Sequence, residues 1–239
     1  MRLLLLLLPM LLFWGLSCDP EDPLPGPTLP PVAPPAMAVD TFSYLALGDS
    51  YTFGQGVDPG ERYPAQLADT LVVKYGILLQ PLDMVARTGW TTTDLQDGLA
   101  ERTDLQSSYD LVTLLIGVNN FYRGHSLAAY EVEFADLLAQ SIDLAGGDPG
   151  RVCVLSIPDY AYTPFGGGSP STSRGIERFN ASNRRITDSV GVAYVDVTSI
   201  SRQGLDEPAL VSDDQLHPSG LQYARWVEVL APVVVDLLK

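Results

Sequence analysis

The chain has 239 residues, 46% of them hydrophobic, and sets 14 Lys and Arg against 29 Asp and Glu for a formal charge of −15. That balance excludes a nucleic-acid binder, whose phosphate contacts need clustered cations, and a domain that adheres to anionic lipid through its own surface. The apolar fraction excludes a disordered chain, and the acidity itself reads as a solubility property.

Arg2 precedes an apolar run over residues 3–16, the pattern of a signal peptide. The run is too short, and too clearly broken by Pro9, for a membrane-spanning helix of ~20 residues. It ends at Gly15-Leu16-Ser17-Cys18, which resembles a bacterial lipobox, where the cysteine takes lipid and becomes the mature N-terminus. Gly15 stands where that motif usually has a large aliphatic residue. The expectation is a leader over residues 1–18 with Cys18 lipidated, ordinary cleavage after Ala36-Met37-Ala38 being the alternative. Residues 19–40 are dominated by proline and read as an extended tether that holds a folded domain off a membrane.

From residue 41 strands and helices alternate. Strands are expected over 42–47, 77–86, 110–116, 151–157 and 193–197. Helices are expected over 62–75, 91–102, 127–144, 172–190 and 219–239. Pro64 suits a first helical turn, the threonines at 91 and 92 suit an N-cap, and Gly146-Gly147 suits a helix end. Such alternation implies a mostly parallel sheet with both faces covered. Cys153 lies in the apolar run of the fourth strand and reads as a small core residue. No cysteine or histidine cluster has metal-ligand spacing, so no metal is expected.

In a parallel sheet the loops after the strands share one edge and can converge on one crevice. The first carries Gly48-Asp49-Ser50, where an apolar strand stops and a hydroxyl follows. Serine is a poor nucleophile unless a base takes its proton, and the chain has two histidines. His217 follows Asp214 by three residues, a spacing that lets a carboxylate reach the imidazole and fix its tautomer. His125 has no adjacent acid and reads as a surface residue. An oxyanion needs donors aimed at one point. The backbone of Ser50, the backbone of Gly89 and the side chain of Asn119, at successive strand ends, offer them.

Aromatic residues crowd the same loops: Tyr51, Phe53 and Trp90, then Phe121, Tyr122, Tyr160, Tyr162 and Phe165. At least half should pack the loops down, leaving the rest as an apolar or sugar-stacking rim. Arg87 and Arg123 are the nearby cations, placed to meet a carboxylate or to pair with the many acids. Gly54-Gln55-Gly56 lacks the third glycine of a dinucleotide loop. Asn180-Ala181-Ser182 reads as a chance glycosylation triplet.

Gly48-Asp49-Ser50, Gly89, Gly117-Val118-Asn119 and Asp214-Gln215-Leu216-His217 occur in the order of the four blocks of the SGNH (GDSL) hydrolases, and the chain from Thr41 onward resembles that family. The resemblance implies an α/β fold over residues 41–239, a flavodoxin-like three-layer α/β/α sandwich around a five-stranded, mostly parallel sheet. It implies esterase or lipase-type acyl hydrolysis through a covalent acyl-serine, with no cofactor. Ser50 would be the nucleophile, His217 the base and Asp214 its partner, with Ser50, Gly89 and Asn119 forming the oxyanion hole. Asn120 departs from the family, which often has Asp there. Asp213 is off the motif's spacing but would serve in place of Asp214 if the loop bent. The expected substrate is a small ester or an acetylated glycan. The rivals are a carbohydrate O-deacetylase and a glycan-binding surface lipoprotein without turnover. The expected protein is an exported monomer, anchored through Cys18 in the periplasm or at the cell surface, with secretion as the alternative.

Overall fold

The computed structural model describes residues 40–239; the leader, Cys18 and the tether up to residue 39 lie outside them. In chain order the elements are β1 (Asp40–Gly48), α1 (Ser50–Phe53), α2 (Tyr63–Tyr75), β2 (Ile77–Ala86), α3 (Thr92–Glu101), β3 (Leu111–Leu115) and α4 (Val118–Tyr122). There follow α5 (Leu127–Leu144), β4 (Val152–Leu155), α6 (Pro170–Ser189), β5 (Ala193–Val195), α7 (Thr198–Ser201) and α8 (Gly220–Leu237). The five strands form one sheet in the order β2-β1-β3-β4-β5, every neighbouring pair parallel. α2 packs with α8, and α5 packs with both α3 and α6, so helices cover both faces. This is the α/β sandwich that the strand and helix alternation implies.

The central strands are buried on both sides, which is why they read as unbroken apolar runs: Tyr44, Leu45, Ala46 and Leu47 on β1 and all of β3 are inaccessible. β2 and β5 are the edges. β2 carries Pro81, which an edge strand tolerates because it leaves one ladder unmade. Cys153 is fully buried on β4, and burial pushes its thiol up to about 12, as befits an inert core residue.

Thr91 caps α3, its hydroxyl accepting from the Asp94 N–H while the Asp94 carboxylate accepts from the Thr91 N–H. Gly147 and Gly146 return their N–H groups to Ile142 and Asp143 at the end of α5. β5 stops at Val195, two residues before the expected end, because Asp196 leaves the ladder. Its Oδ1 accepts from the N–H groups of Thr198 and Ser199 and starts α7 instead. α1, α4 and α7 span five residues or fewer and fall where the sequence predicts loops, since a single turn has no readable period. Asn180 lies inside α6 and is spent on structure. It bonds both the N–H and the carbonyl of Ile157, and Thr198 Oγ1.

Under the carboxyl end of β1 lies an aromatic cluster. Trp226 and Tyr223 of α8 pack edge to face at 5.0 Å, and both meet Tyr63 of α2. The Tyr223 hydroxyl donates to the Tyr51 carbonyl at 2.9 Å, which fixes α1 to α8 across the chain.

Candidate active site

β1 ends where its sequence must be small. A Cβ on Gly48 would collide with Thr52 Oγ1 and the Leu115 carbonyl, so glycine lets the chain turn directly into α1. Asp49 caps that turn, Oδ1 accepting from the Tyr51 N–H at 3.0 Å. Asp49 is wholly buried and its Oδ2 has no partner among the described residues; burial pushes the carboxyl up to about 7, against the hydrogen bond from Tyr51. Ser50 opens the turn, so its own N–H needs no helical partner and has none among the described residues.

The opposite wall comes from the loop before α8. Asp214 Oδ1 accepts from the N–H groups of Leu216 and His217, each at 2.9 Å, and from the Ser212 hydroxyl at 2.8 Å. Its Oδ2 accepts from His217 Nδ1 at 2.6 Å. Burial raises the Asp214 carboxyl, but these four donors outweigh it and hold the group down to about 2. With Nδ1–H committed to the carboxylate, Nε2 is left as an acceptor, and Ser50 Oγ lies 3.0 Å from it. The loop can wrap its carboxylate this tightly because Gln215 takes a left-handed φ of 67°, and its carbonyl accepts from Phe165 N at 3.0 Å. Asp213 is exposed and has no bond to His217, so the loop does not bend to use it.

The third wall is formed by the loops after β2 and β3. Gly89 sits at φ +85°, a conformation that glycine adopts without cost, and its N–H has no partner among the described residues. Its carbonyl accepts from Arg123 Nη2 at 2.5 Å. Asn119 Nδ2 donates to the Trp90 carbonyl at 2.8 Å, and its second N–H has no partner among the described residues. Ser50, Gly89, Asn119 and His217 all line one cavity of about 310 Å³. The Ser50 hydroxyl, the His217 base and three residues that carry N–H donors therefore border a single cavity, an arrangement that suits addition to a carbonyl and retention of the resulting oxyanion.

Half of the loop aromatics line that space: Tyr51, Tyr122, Tyr160 and Phe165. The others pack the loops down. Phe53 lies under Arg62, Phe121 meets Phe179 edge on, Trp90 covers Gly98, and Tyr162 is beside Arg202. Tyr122 and Phe165 are 62% and 54% exposed and pack with the buried Tyr160 as a cluster of tilted rings 6.3–6.5 Å apart that lines the cavity. His125 is exposed, as expected of a surface residue. Of the two roles the sequence offers Arg123, the fold shows the pairing with an acid, Asp94 at 3.6 Å; the bond to the Gly89 carbonyl is the role the sequence does not give. Among the described residues no group of three or more His, Cys, Asp or Glu is arranged to hold a metal ion.

The profile of the GDSL-like lipase/acylhydrolase family matches residues 46–225, which include Ser50, Gly89, Asn119, Asp214 and His217. Over 100 residues the chain is 38% identical to Lipase 2 of Streptomyces coelicolor; the match takes in 37% of this chain and spans 33% of that curated relative. Among solved structures it is similar to an acetylxylan esterase from Geobacillus stearothermophilus, with a TM-score of 0.60 and 21% identity over 84% of this chain and 96% of that one. It is also similar to an α/β hydrolase enzyme from the metagenome of Lake Arreo, Spain, with a TM-score of 0.61 and 19% identity over 82% of this chain and 94% of that one. TesA gives a TM-score of 0.61 and 21% identity over 82% of this chain and 99% of that one. At these identities the structural likeness is one of fold.

Proposed function

The chain belongs to the GDSL-like lipase/acylhydrolase family, and on that premise we propose that it is a serine ester hydrolase working through an acyl-enzyme on Ser50. One observation carries the reading. Asp214, His217 and Ser50 are linked in series at 2.6 and 3.0 Å, opening onto a cavity that also holds Gly89 and Asn119. In the proposed reaction His217 Nε2 takes the Ser50 proton as Oγ attacks the carbonyl carbon. The oxyanion is received by the N–H groups of Ser50, Gly89 and Asn119. Collapse of the intermediate expels the alcohol, which leaves with the proton from His217, and water repeats the sequence to release the acid.

The cavity lies at the small end of ligand pockets, about 310 Å³ against a usual range of ~300–1,000 Å³. A short acyl group suits it better than a long chain. The exposed rings of Tyr122 and Phe165 favour a second reading for the alcohol half, a ring that can lie against aromatic faces, such as an acetylated sugar. A panel of acetyl, butyryl, octanoyl and palmitoyl esters with a common alcohol, beside acetylated sugars, tests both. The expected result is the highest kcat/KM on the acetyl or butyryl ester; faster turnover of the palmitoyl ester would contradict it. A preference for the sugar acetates that Tyr122→Ala and Phe165→Ala abolish would support the second reading.

The proposal extends to location. A signal-like apolar run, Cys18 and a proline-rich tether suit a lipid-anchored exported domain. Intact-mass analysis of membrane-fraction protein should find lipid on Cys18; an N-terminus at Val39 would refute the anchor.

A further inference from the structure

The two oxyanion donors outside Ser50 sit on different segments, Gly89 in the loop after β2 and Asn119 in α4, and a buried polar junction that does not itself line the cavity ties these segments together. Asn120 and Thr92 are wholly inaccessible. Asn120 Oδ1 accepts from the Thr92 N–H at 3.1 Å, while Nδ2 donates to Thr92 Oγ1 at 2.6 Å and to Glu133 Oε2 at 3.2 Å. The Thr92 hydroxyl donates in turn to Glu133 Oε2. His125 Nδ1 stands 3.5 Å from the same amide nitrogen. These roles leave little choice of side chain. Position 120 must accept on one side and donate twice on the other, which a side-chain amide does and a carboxylate cannot.

The junction adjoins both donors. Asn119 is the next residue back and bonds the Trp90 carbonyl, two residues before Thr92. Arg123, on the turn that follows, bonds the Gly89 carbonyl. A fully satisfied buried network is rigid, and donors stabilise an oxyanion only where their positions are fixed beforehand. We propose that Asn120 and Glu133 are a matched positioning pair that sets the spacing of the Gly89 N–H and the Asn119 amide around the developing oxyanion. They act through those donors and do not touch substrate. The inference rests on the reading of Ser50 as the nucleophile of an ester hydrolase.

Asn120→Asp removes both donations and sets a second carboxyl against Glu133, where two neighbouring charges repel. Displaced donors weaken the transition state more than substrate binding. The expected result is a kcat lower by ~10- to 100-fold with KM nearly unchanged. That loss stays below the ~100- to 1,000-fold cost of Asn119→Ala, which removes a donor itself. Glu133→Gln supplies a new donor opposite the carboxylate, so Asn120→Asp/Glu133→Gln recovers most of the lost kcat. Competent sites are counted by fluorophosphonate titration, so that poor folding does not pass for slow chemistry. Wild-type kcat per titrated site in Asn120→Asp, or a double variant no faster than the single one, would overturn the pairing. A wild-type protein that neither turns over esters nor takes the label would overturn the hydrolase reading, and this inference with it.

Discussion

Ser50→Ala and His217→Ala each lower kcat for ester hydrolysis by on the order of 10⁶-fold, and the double variant is no worse than either single one. The reason is that both residues serve one event. Ser50 Oγ forms the bond to carbon, and His217 Nε2, 3.0 Å away, must remove its proton as that bond forms. Without the imidazole the hydroxyl is a poor nucleophile; without the hydroxyl the imidazole has no proton to take. The N–H groups around the cavity persist in both variants, so a residual ~10³–10⁴-fold acceleration over water remains. Steady-state kinetics on the acetyl ester measure this. A His217→Ala protein with substantial activity would transfer the role of base to another group.

Asp214→Asn costs ~10⁴-fold in kcat, less than loss of His217. The amide keeps one oxygen for the Leu216, His217 and Ser212 donors and turns its NH2 toward His217 Nδ1. Nδ1 must then accept, the ring proton moves to Nε2, and Nε2 no longer accepts from Ser50. Asp213→Asn is mild, because that side chain is exposed and bonds nothing in the relay. The Asp214 substitution also has a pH signature. Asp214 is held down to about 2 from an ordinary 3.8, so its folded form binds fewer protons than the unfolded chain between those values. The stabilisation it gives is therefore complete above pH 3.8 and is lost as pH falls through about 2. Melting temperatures of wild type and Asp214→Asn should converge over that interval. A difference that stays constant down to pH 2 would show that the ionised carboxylate does not organise the loop.

Much of this site is legible in the sequence alone, because its parts are local. Asp214 and His217 are three residues apart, and the strand ends that carry Ser50 and Asn119 follow the clearest apolar runs in the chain. What is not legible there depends on contacts between distant segments. Asn120 meets Thr92 across 28 residues and Glu133 across 13, and Arg123 reaches Gly89 across 34. No spacing rule joins such pairs; only the packing of α3 and α5 brings them together. The short helices that begin at Ser50 and Val118 escape a sequence reading for a different reason. The first is held by the Asp49 cap and the Tyr223 bond to Tyr51, the second by side-chain bonds such as Asn119 to the Trp90 carbonyl, and neither by an apolar period. The loop aromatics divide evenly between packing and cavity because sequence gives their number but not their direction.

The central claim is that Ser50 is the nucleophile of an acyl-enzyme. Its most direct test is to treat the protein with a fluorophosphonate and map the adduct by mass spectrometry. One adduct per chain on Ser50, absent from Ser50→Ala and formed far more slowly in His217→Ala, is the expected result. An actively hydrolysing protein with no adduct, or with its adduct on any other residue, would contradict the claim.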